Sequence, residues 1–290
     1  MSAPYWGILI FLGTPSLILA VLMFLWRRRI RRSGERVPIS EKLLRPAGES
    51  LRLKIEALDE KLMSSCFYCI LAPTVGAAVV LSVPISGFEV ARPAVAVVAA
   101  VALFVLAARQ LFARTDELRD CRLGFHGERA VAEEINQLMR DGCRVFHDVP
   151  NEPYGNIDHV IVAPSGVYAV ETKTRRKRKM PPGKRDHEVI FDGKTLEFPN
   201  GKDTGALEQA RQQADRLRKF LTSAVGEPVA VSPILTFPGW FVTSRVNSPL
   251  KVVNPKSIAS VVNGKSPTLA PELIQRIAHQ LDQRCRDVEV

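Results

Sequence analysis

The stretch that decides the fold is residues 157–173, which read IDHVIVAPSGVYAVETK. Its two halves are rich in β-branched and apolar residues, and the proline, serine and glycine between them are a turn signal. The sequence therefore predicts a β-hairpin. Because side chains alternate along a strand, Glu171 and Lys173 should share a face with Val167 and Ala169, and this face should be apolar and covered.

Polar residues gather at one end of the predicted hairpin. The turn brings Asp158 across from residues 171–172, although the register depends on how Gly166 is accommodated and is not fixed by the sequence. Two acids and Lys173 therefore converge at the end of an otherwise hydrophobic hairpin. Structural ion pairs produce the same pattern, so these residues alone are equally compatible with a structural and a catalytic cluster.

A third acid lies upstream. Residues 124–128, which read GFHGE, should open a helix that ends at residues 141–142. Glu128 lies on the same helical stripe as the apolar residues Val131 and Ile135. A carboxylate on a buried face is costly unless it is paired or bound to a metal. The alternative is an acid that caps the first helical turn and has no chemical role.

The three motifs have a recognisable order and spacing. GxxGE on a helix, then GNIDH and then GVYAVETK resemble the nuclease-related domain family (NERD) of the PD-(D/E)xK nuclease superfamily, over about residues 121–265. The resemblance implies an α/β fold with a restriction-endonuclease-like core, in which helices flank a mixed sheet. The active residues that the family pattern implies correspond by position to Glu128, Asp158, Glu171, Lys173 and, in a helix expected at about 204–221, Gln209.

The chemistry of these side chains suits hydrolysis of a phosphodiester. Asp158 and Glu171 offer the hard oxygen ligands that Mg²⁺ or Mn²⁺ prefers, and Glu128 would complete the metal site or hold a ligating water. Lys173 could orient the attacking water and offset anionic charge. No P-loop, dinucleotide fingerprint or Ser/His/Asp motif supports another chemistry. The alternative is an inactive nuclease-fold module that binds nucleic acid or a protein partner at the membrane.

A basic run follows the predicted catalytic strand. Residues 173–185, including both ends, contain eight basic residues and no acid. Basic side chains neutralise backbone phosphates, so nucleic acid is the expected partner, with DNA favoured over RNA. Anionic lipid headgroups and a merely solvated loop are the alternatives. The residues expected to contact nucleic acid are Arg175, Arg176, Lys177, Arg178, Lys179, Lys184 and Arg185.

The first 113 residues have a different composition from the rest. They contain three apolar runs, each about long enough to cross a hydrocarbon core of about 30 Å. A buried helical pair in a soluble protein is the alternative for the second and third runs. We therefore expect an all-α transmembrane region of about three helices, followed by a nuclease-like domain. The expected ranges are 1–113 for the membrane region, with helices at about 6–26, 67–86 and 93–112 and a cytosolic amphipathic linker at 27–65, and 114–290 for the domain.

Charge predicts the orientation of this region. Residues 27–65 carry eleven basic and six acidic side chains, within a chain whose formal net charge is +10. The positive-inside rule places this linker in the cytosol, and three crossings place residues 114–290 there as well. We therefore expect a multi-pass protein of the cytoplasmic (inner) membrane. Five cysteines without regular spacing argue against a disulfide scaffold and agree with a reducing compartment.

Overall fold

The structure is a computed structural model that describes residues 41–82, 91–177 and 186–288. It also describes four helical positions, Ile18, Val21, Leu22 and Leu25. The chain divides into two compact units. The first contains residues 1–38 and 54–120, and the second contains residues 39–53 and 121–290.

The elements of the described part are numbered in chain order. The helices are α1 (Glu49–Ser82), α2 (Arg92–Ile135), α3 (Gly205–Val225), α4 (Ile258–Asn263) and α5 (Pro271–Cys285). The strands are β1 (Leu43–Leu44), β2 (Arg144–Pro150), β3 (Asn156–Ala163), β4 (Gly166–Thr172), β5 (Glu188–Phe191), β6 (Leu196–Phe198), β7 (Gly201–Asp203), β8 (Val231–Thr236), β9 (Phe241–Ser244), β10 (Lys251–Val253) and β11 (Arg286–Val288). Two short 3₁₀ segments lie at Asn136–Asp141 and Pro255–Ser257.

The first unit is helical. Within the described residues, one helix is long and apolar enough to cross a membrane: it begins at Pro93, has a mean hydropathy of 2.3 and is only 6% buried over its most apolar stretch. The other two expected spans are not confirmed. The predicted run at 6–26 lies outside the described residues, except for the four helical positions. Residues 67–82 of the second run lie in α1, and residues 83–86 lie outside the described part.

The second unit starts later than expected and includes an earlier segment. The sequence placed the boundary between residues 113 and 114, whereas residues 114–120 belong to the first unit and residues 39–53 to the second. The early segment joins the second unit because β1 pairs with β11 and because Ser50 donates a hydrogen bond to Asp148. These contacts join residues far apart in the chain, which local sequence patterns do not report.

The helix that carries Glu128 begins at Arg92, not at Gly124 as expected. Glycine costs a helix interior only about 1 kcal/mol, and packing of an apolar stripe outweighs that cost. Val131 and Ile135 are buried as predicted. Because Glu128 lies deep within a continuous helix, it cannot cap a first turn, and the capping alternative is wrong.

A five-stranded mixed sheet with the order β10-β8-β4-β3-β2 forms the centre of the second unit. β2, β3 and β4 pair antiparallel, whereas β4, β8 and β10 run parallel. The predicted hairpin is confirmed, with Ala163 opposite Gly166 and His159 opposite Val170. Gly166 has a φ of 141°, a conformation that glycine adopts without strain. The turn therefore sets the register that the sequence left open.

Helices cover both faces of this sheet. On one face, Val167 and Ala169 pack against the apolar stripes of α3 and α5, so the face that Glu171 shares is covered as predicted. On the other face, Tyr168 and Val170 pack against the end of α2 and against α4. A second sheet with the order β7-β6-β5-β9 packs against the start of α3 through a third apolar cluster. The α/β class with mixed sheets flanked by helices is thus confirmed.

Gly127 allows α2 to lie directly against the segment that follows β4. A Cβ atom at this position would lie 1.9 Å from Cγ2 of Thr174 and 3.4 Å from Cγ of Pro238. No side chain fits at 1.9 Å from a carbon atom. The glycine that precedes Glu128 is therefore required by packing, and it brings the helix close to the end of the hairpin.

We predict that Gly127→Ala destabilises the protein by about 1–3 kcal/mol, because the new methyl group overlaps Thr174. The double variant Gly127→Ala with Thr174→Ser removes the clashing methyl group and should recover most of the loss. Chemical unfolding of the full chain in detergent, followed by tryptophan fluorescence, measures both effects.

Gly205→Ala is the matched control, since a Cβ there meets nothing closer than 3.7 Å. A stability gain of about 0.5–1 kcal/mol in Gly127→Ala, as alanine usually gives in a helix interior, would contradict the packing argument.

Candidate active site

The carboxylate of Asp158 is fixed at the end of the hairpin. Its Oδ2 atom accepts a hydrogen bond of 2.6 Å from the backbone N–H of Thr172. The last pairing of the two strands is His159 with Val170, the residues next to Asp158 and Glu171. The convergence that the sequence suggested is therefore real.

Glu171 and Lys173 form an ion pair on the shared face. The Nζ atom of Lys173 lies 2.7 Å from Oε1 of Glu171 and donates a second hydrogen bond of 2.9 Å to Oε1 of Gln209 on α3. Glu171 is 2% exposed, whereas the side chain of Lys173 is 34% exposed. The backbone N–H of Lys173 donates to the carbonyl of Thr236, which anchors the strand end. The lysine thus links a buried acid to the surface.

Glu128 brings a third carboxyl group to the same place from α2. It is buried, and burial, followed by the charges of Asp148 and Glu171, raises its pKa to about 8 against the opposing effect of Lys173. Burial and the charges of Glu171 and Glu128 also raise the pKa of Asp158 well above its ordinary value. The site therefore holds three carboxyl groups whose charges, when all are ionised, one lysine does not neutralise.

Residues 123–238 match the family model of the nuclease-related domain. This segment is similar to a nuclease-related domain. All five residues predicted for the site, from Glu128 to Gln209, lie inside the matched segment. No curated protein and no solved structure gave a significant match to the chain.

Within residues 123–238, three side-chain oxygens are buried without a hydrogen-bond partner: Oε2 of Glu171, Oγ1 of Thr172 and Oε1 of Gln213. Burial raises the pKa of Glu171 although Lys173 lowers it. A divalent cation would compensate the charge of Glu171 and give the carboxylate and amide oxygens a partner, because it is positively charged and takes such oxygens as ligands. The residues present therefore fit Mg²⁺ or Mn²⁺.

Few of the described side chains could ligate such a cation directly. Among residues 41–82, 91–177 and 186–288, no three His, Cys, Asp or Glu side chains are arranged to hold a metal ion together. Mg²⁺ usually keeps several waters and takes one or two carboxylates. Asp158 and Glu171 suit that pattern, and Glu128 then suits the other role expected for it, holding a ligating water.

Asp148 is a site residue that the sequence analysis missed. It lies on β2, is 2% exposed and has a φ of 48°, which is rare for a residue other than glycine. Its carboxylate accepts hydrogen bonds from the N–H and hydroxyl of Ser50, the guanidinium of Arg45 and the amide of Asn156. An acid in a strand close to the apolar residues Phe146 and Val149 is the signal that could have found it.

Gln213 is the second missed residue. It is one helical turn after Gln209 and is 3% exposed. Its Nε2 atom donates to the carbonyl of Asn156 at 3.2 Å, and a side-chain hydrogen bond from it lowers the pKa of Glu171. Positions four apart share a helix face, so the spacing of the two glutamines was the available signal.

The basic run is only partly solvated in the described residues. The guanidinium of Arg175 stacks 4.1 Å from the ring centroid of Phe198 and lies 3.7 Å from a carboxylate oxygen of Asp203. The indole N–H of Trp240 donates to the carbonyl of Arg175 at 3.2 Å. Arg175 therefore has a packing role besides its predicted contact with nucleic acid. The remaining predicted contacts at 178–179 and 184–185 lie outside the described residues.

We predict that Glu128→Gln stabilises the protein at alkaline pH in the presence of a chelator. A folded-state pKa raised from 4.5 to about 8 means that unfolding releases a proton between these values, so wild-type stability falls as pH rises through that window. The amide of the Glu128→Gln variant cannot ionise, so this variant should lose less stability as the pH rises. The difference at pH 9 should reach at least about 1 kcal/mol in chemical unfolding of the full chain.

Glu133→Gln is the control, since Glu133 is exposed on the same helix. If the unfolding free energies of the wild type and Glu128→Gln show the same pH dependence between pH 5 and pH 9, Glu128 is ionised throughout and its surroundings already compensate its charge.

Proposed function

We propose that the protein is a membrane-attached, metal-dependent nuclease that hydrolyses phosphodiester bonds of nucleic acid, DNA in preference to RNA. The observation that carries the proposal is the convergence of Asp158, Glu171 and Glu128 beside Lys173 in a nuclease-related domain. The mixed sheet with helices on both faces supports a restriction-endonuclease-like core. A structural cluster would not need three buried acids with one lysine, because uncompensated buried charge destabilises a fold.

The two hairpin acids would hold the cation, with Mg²⁺ or Mn²⁺ as the resident ion. Asp158 is oriented for this by the N–H of Thr172, and Glu171 has one carboxylate oxygen without a partner. Such an ion supplies charge neutralisation at the phosphate and a more acidic water. The pairing of both acids with opposite charge would lower their pKa values and keep them ionised at neutral pH.

Lys173 and Glu128 would handle the water and its proton. The ammonium group of Lys173 is held between Glu171 and Gln209, and from there it can orient a water and offset charge that develops on the phosphate. With a pKa of about 8, Glu128 is protonated at neutral pH without a cation and can both donate and accept hydrogen bonds. This suits a group that positions a water molecule.

Attachment to the membrane would come from the first unit. The helix that begins at Pro93 has the length and hydropathy of a span, and its most apolar stretch is only 6% buried. Together with the runs at 6–26 and 67–86, it would make three crossings, and the basic linker would lie on the cytosolic side. This arrangement would place the nuclease-related domain in the cytosol at the inner membrane.

We predict that the purified full chain in detergent cleaves nucleic acid with Mg²⁺ or Mn²⁺ and stops when a chelator is added. Asp158→Asn and Glu171→Gln should abolish both cleavage and the rise in unfolding temperature that the metal causes by binding the folded state. Lys173→Met should keep the metal-dependent rise but lose cleavage by about 100-fold or more, because its role is at the water and the transition state.

The amide variants keep the shape of the buried acids, so loss of activity cannot be ascribed to a cavity. Gln212→Ala, on the exposed side of α3, is the control that should keep full activity. If these three site variants all cleave at the wild-type rate, the cluster is structural. If the wild type binds nucleic acid but never cuts it with any divalent metal, the chain is an inactive binding module.

We predict that the C-terminus lies in the cytosol. In a bacterial host, green fluorescent protein fused after Val290 should fluoresce, whereas alkaline phosphatase at the same point should stay inactive, because the latter needs an oxidising compartment. Active phosphatase with no fluorescence would contradict three crossings with the basic linker inside.

A further inference from the structure

A groove of about 410 Å³ lies on the surface of the second unit. One wall comes from α2, with Ala130 and Glu134, and the other from the turn before β9 and the start of β9. His187 and Lys256 complete the lining. The proposed chemistry uses none of these residues, so the groove needs its own explanation.

The groove lies next to residues that adjoin the proposed catalytic residues in the chain. Pro238 lines it and lies next to Gly127, the residue before Glu128. Thr174, the residue after Lys173, packs against the same glycine. Trp240 lines the groove as well and donates its indole N–H to the carbonyl of Arg175. The groove therefore lies beside the segments that carry Glu128 and Lys173.

The groove presents one exposed aromatic ring on a rigid support. Phe241 is 64% exposed, whereas the neighbouring Trp240 is 3% exposed and packs edge-to-face on Phe198, with 5.3 Å between the ring centroids. The N–H of Phe241 donates to the carbonyl of His187 at 2.7 Å, and Asn254 donates to the carbonyl of Trp240 at 2.8 Å. The backbone that carries the exposed ring is therefore held in place, so the ring is available to stack on a planar partner.

Two lysines lie near the groove. The side chain of Lys256 is exposed at the rim, and the Nζ atom of Lys177 lies 5.8 Å from the ring centroid of Trp240. His187 lies in the groove as well, and its Nδ1 atom is 2.9 Å from Oδ1 of Asp186. Glu134 is the one acidic residue in the lining. Aromatic rings flanked by Lys and Arg form the surface that binds single-stranded nucleic acid, since bases stack and phosphates pair with the cations.

We propose that this groove is a stacking subsite for an unpaired base adjacent to the cleaved phosphodiester, with Phe241 as the platform. The substrate is then nucleic acid with a single-stranded stretch, and a blunt duplex does not use the subsite. This inference rests on the proposed nuclease function and defines its substrate class. Stacking of one base contributes enough affinity for its loss to be measured, about tenfold or more.

The test is binding of the full chain in detergent, with a chelator present to prevent cleavage, to a labelled single-stranded oligonucleotide and to a blunt duplex of the same length. Phe241→Leu keeps an apolar side chain but removes the ring, and it should weaken single-strand binding about tenfold without changing duplex binding. Phe241→Tyr keeps the ring and should bind as the wild type does. A 2-aminopurine base in the single strand should be quenched by the wild type and by Phe241→Tyr but not by Phe241→Leu.

The salt dependence of affinity distinguishes stacking on a base from charge pairing with phosphates. Phe241→Leu should leave the dependence of single-strand affinity on salt unchanged, whereas replacing Lys177, Arg178 and Lys179 with glutamine should reduce it for both substrates. Equal single-strand affinity and equal quenching in Phe241→Leu and wild type would overturn the subsite while leaving the nuclease proposal intact. Failure of the wild type to bind or cleave any nucleic acid would overturn both.

Discussion

Burial of Glu171 beside two further carboxyl groups is the constraint on which the site depends. A buried carboxylate requires opposite charge or hydrogen bonds, and the neighbouring elements supply them only in part. Lys173 gives one ion pair, Gln213 gives one hydrogen bond, and the N–H of Thr172 satisfies Asp158. The raised pKa values of all three acids show that charge compensation is incomplete. Such a cluster reduces stability unless a cation completes it, which is the usual relation between stability and function at an active site.

Asp148 connects this cluster to a distant part of the chain. Its carboxylate lies under Ser50 and Arg45, and its charge is one of the causes that raise the pKa of Glu128. Arg45 also pairs with Asp287, near the C-terminal strand. The segment before α1 therefore belongs to the environment of the site, although it lies outside the segment that matches the family model. A truncated chain that began after the apolar runs would lack these contacts.

Aromatic packing divides the basic run into residues with different physical roles. Arg175 lies between Phe198 and Asp203 and holds the segment after Lys173 against the second sheet. Lys177 lies further out, over the edge of the groove formed around Trp240. Sequence composition treats these residues as one charged patch, whereas their surroundings separate Arg175, which supports the fold, from Lys177, which lies nearer the groove. Under the proposed function, attraction of nucleic acid would depend on the whole run, because charges act together over about 10 Å at about 0.1 M salt.

Local patterns in the sequence determined the hairpin, the shared face of Glu171 and Lys173, the buried stripe that carries Glu128 and the family resemblance. These features follow from alternation and helical periodicity, which act over a few residues. Tertiary structure decided the rest. The turn at Gly166 set the register that brings Asp158 towards Glu171. Packing kept α2 unbroken through Gly124 and Gly127. Contacts across almost a hundred residues or more brought Ser50 and Arg45 to Asp148. None of these can be inferred from neighbours in the chain, because each depends on surfaces that exist only after the sheet and helices have packed.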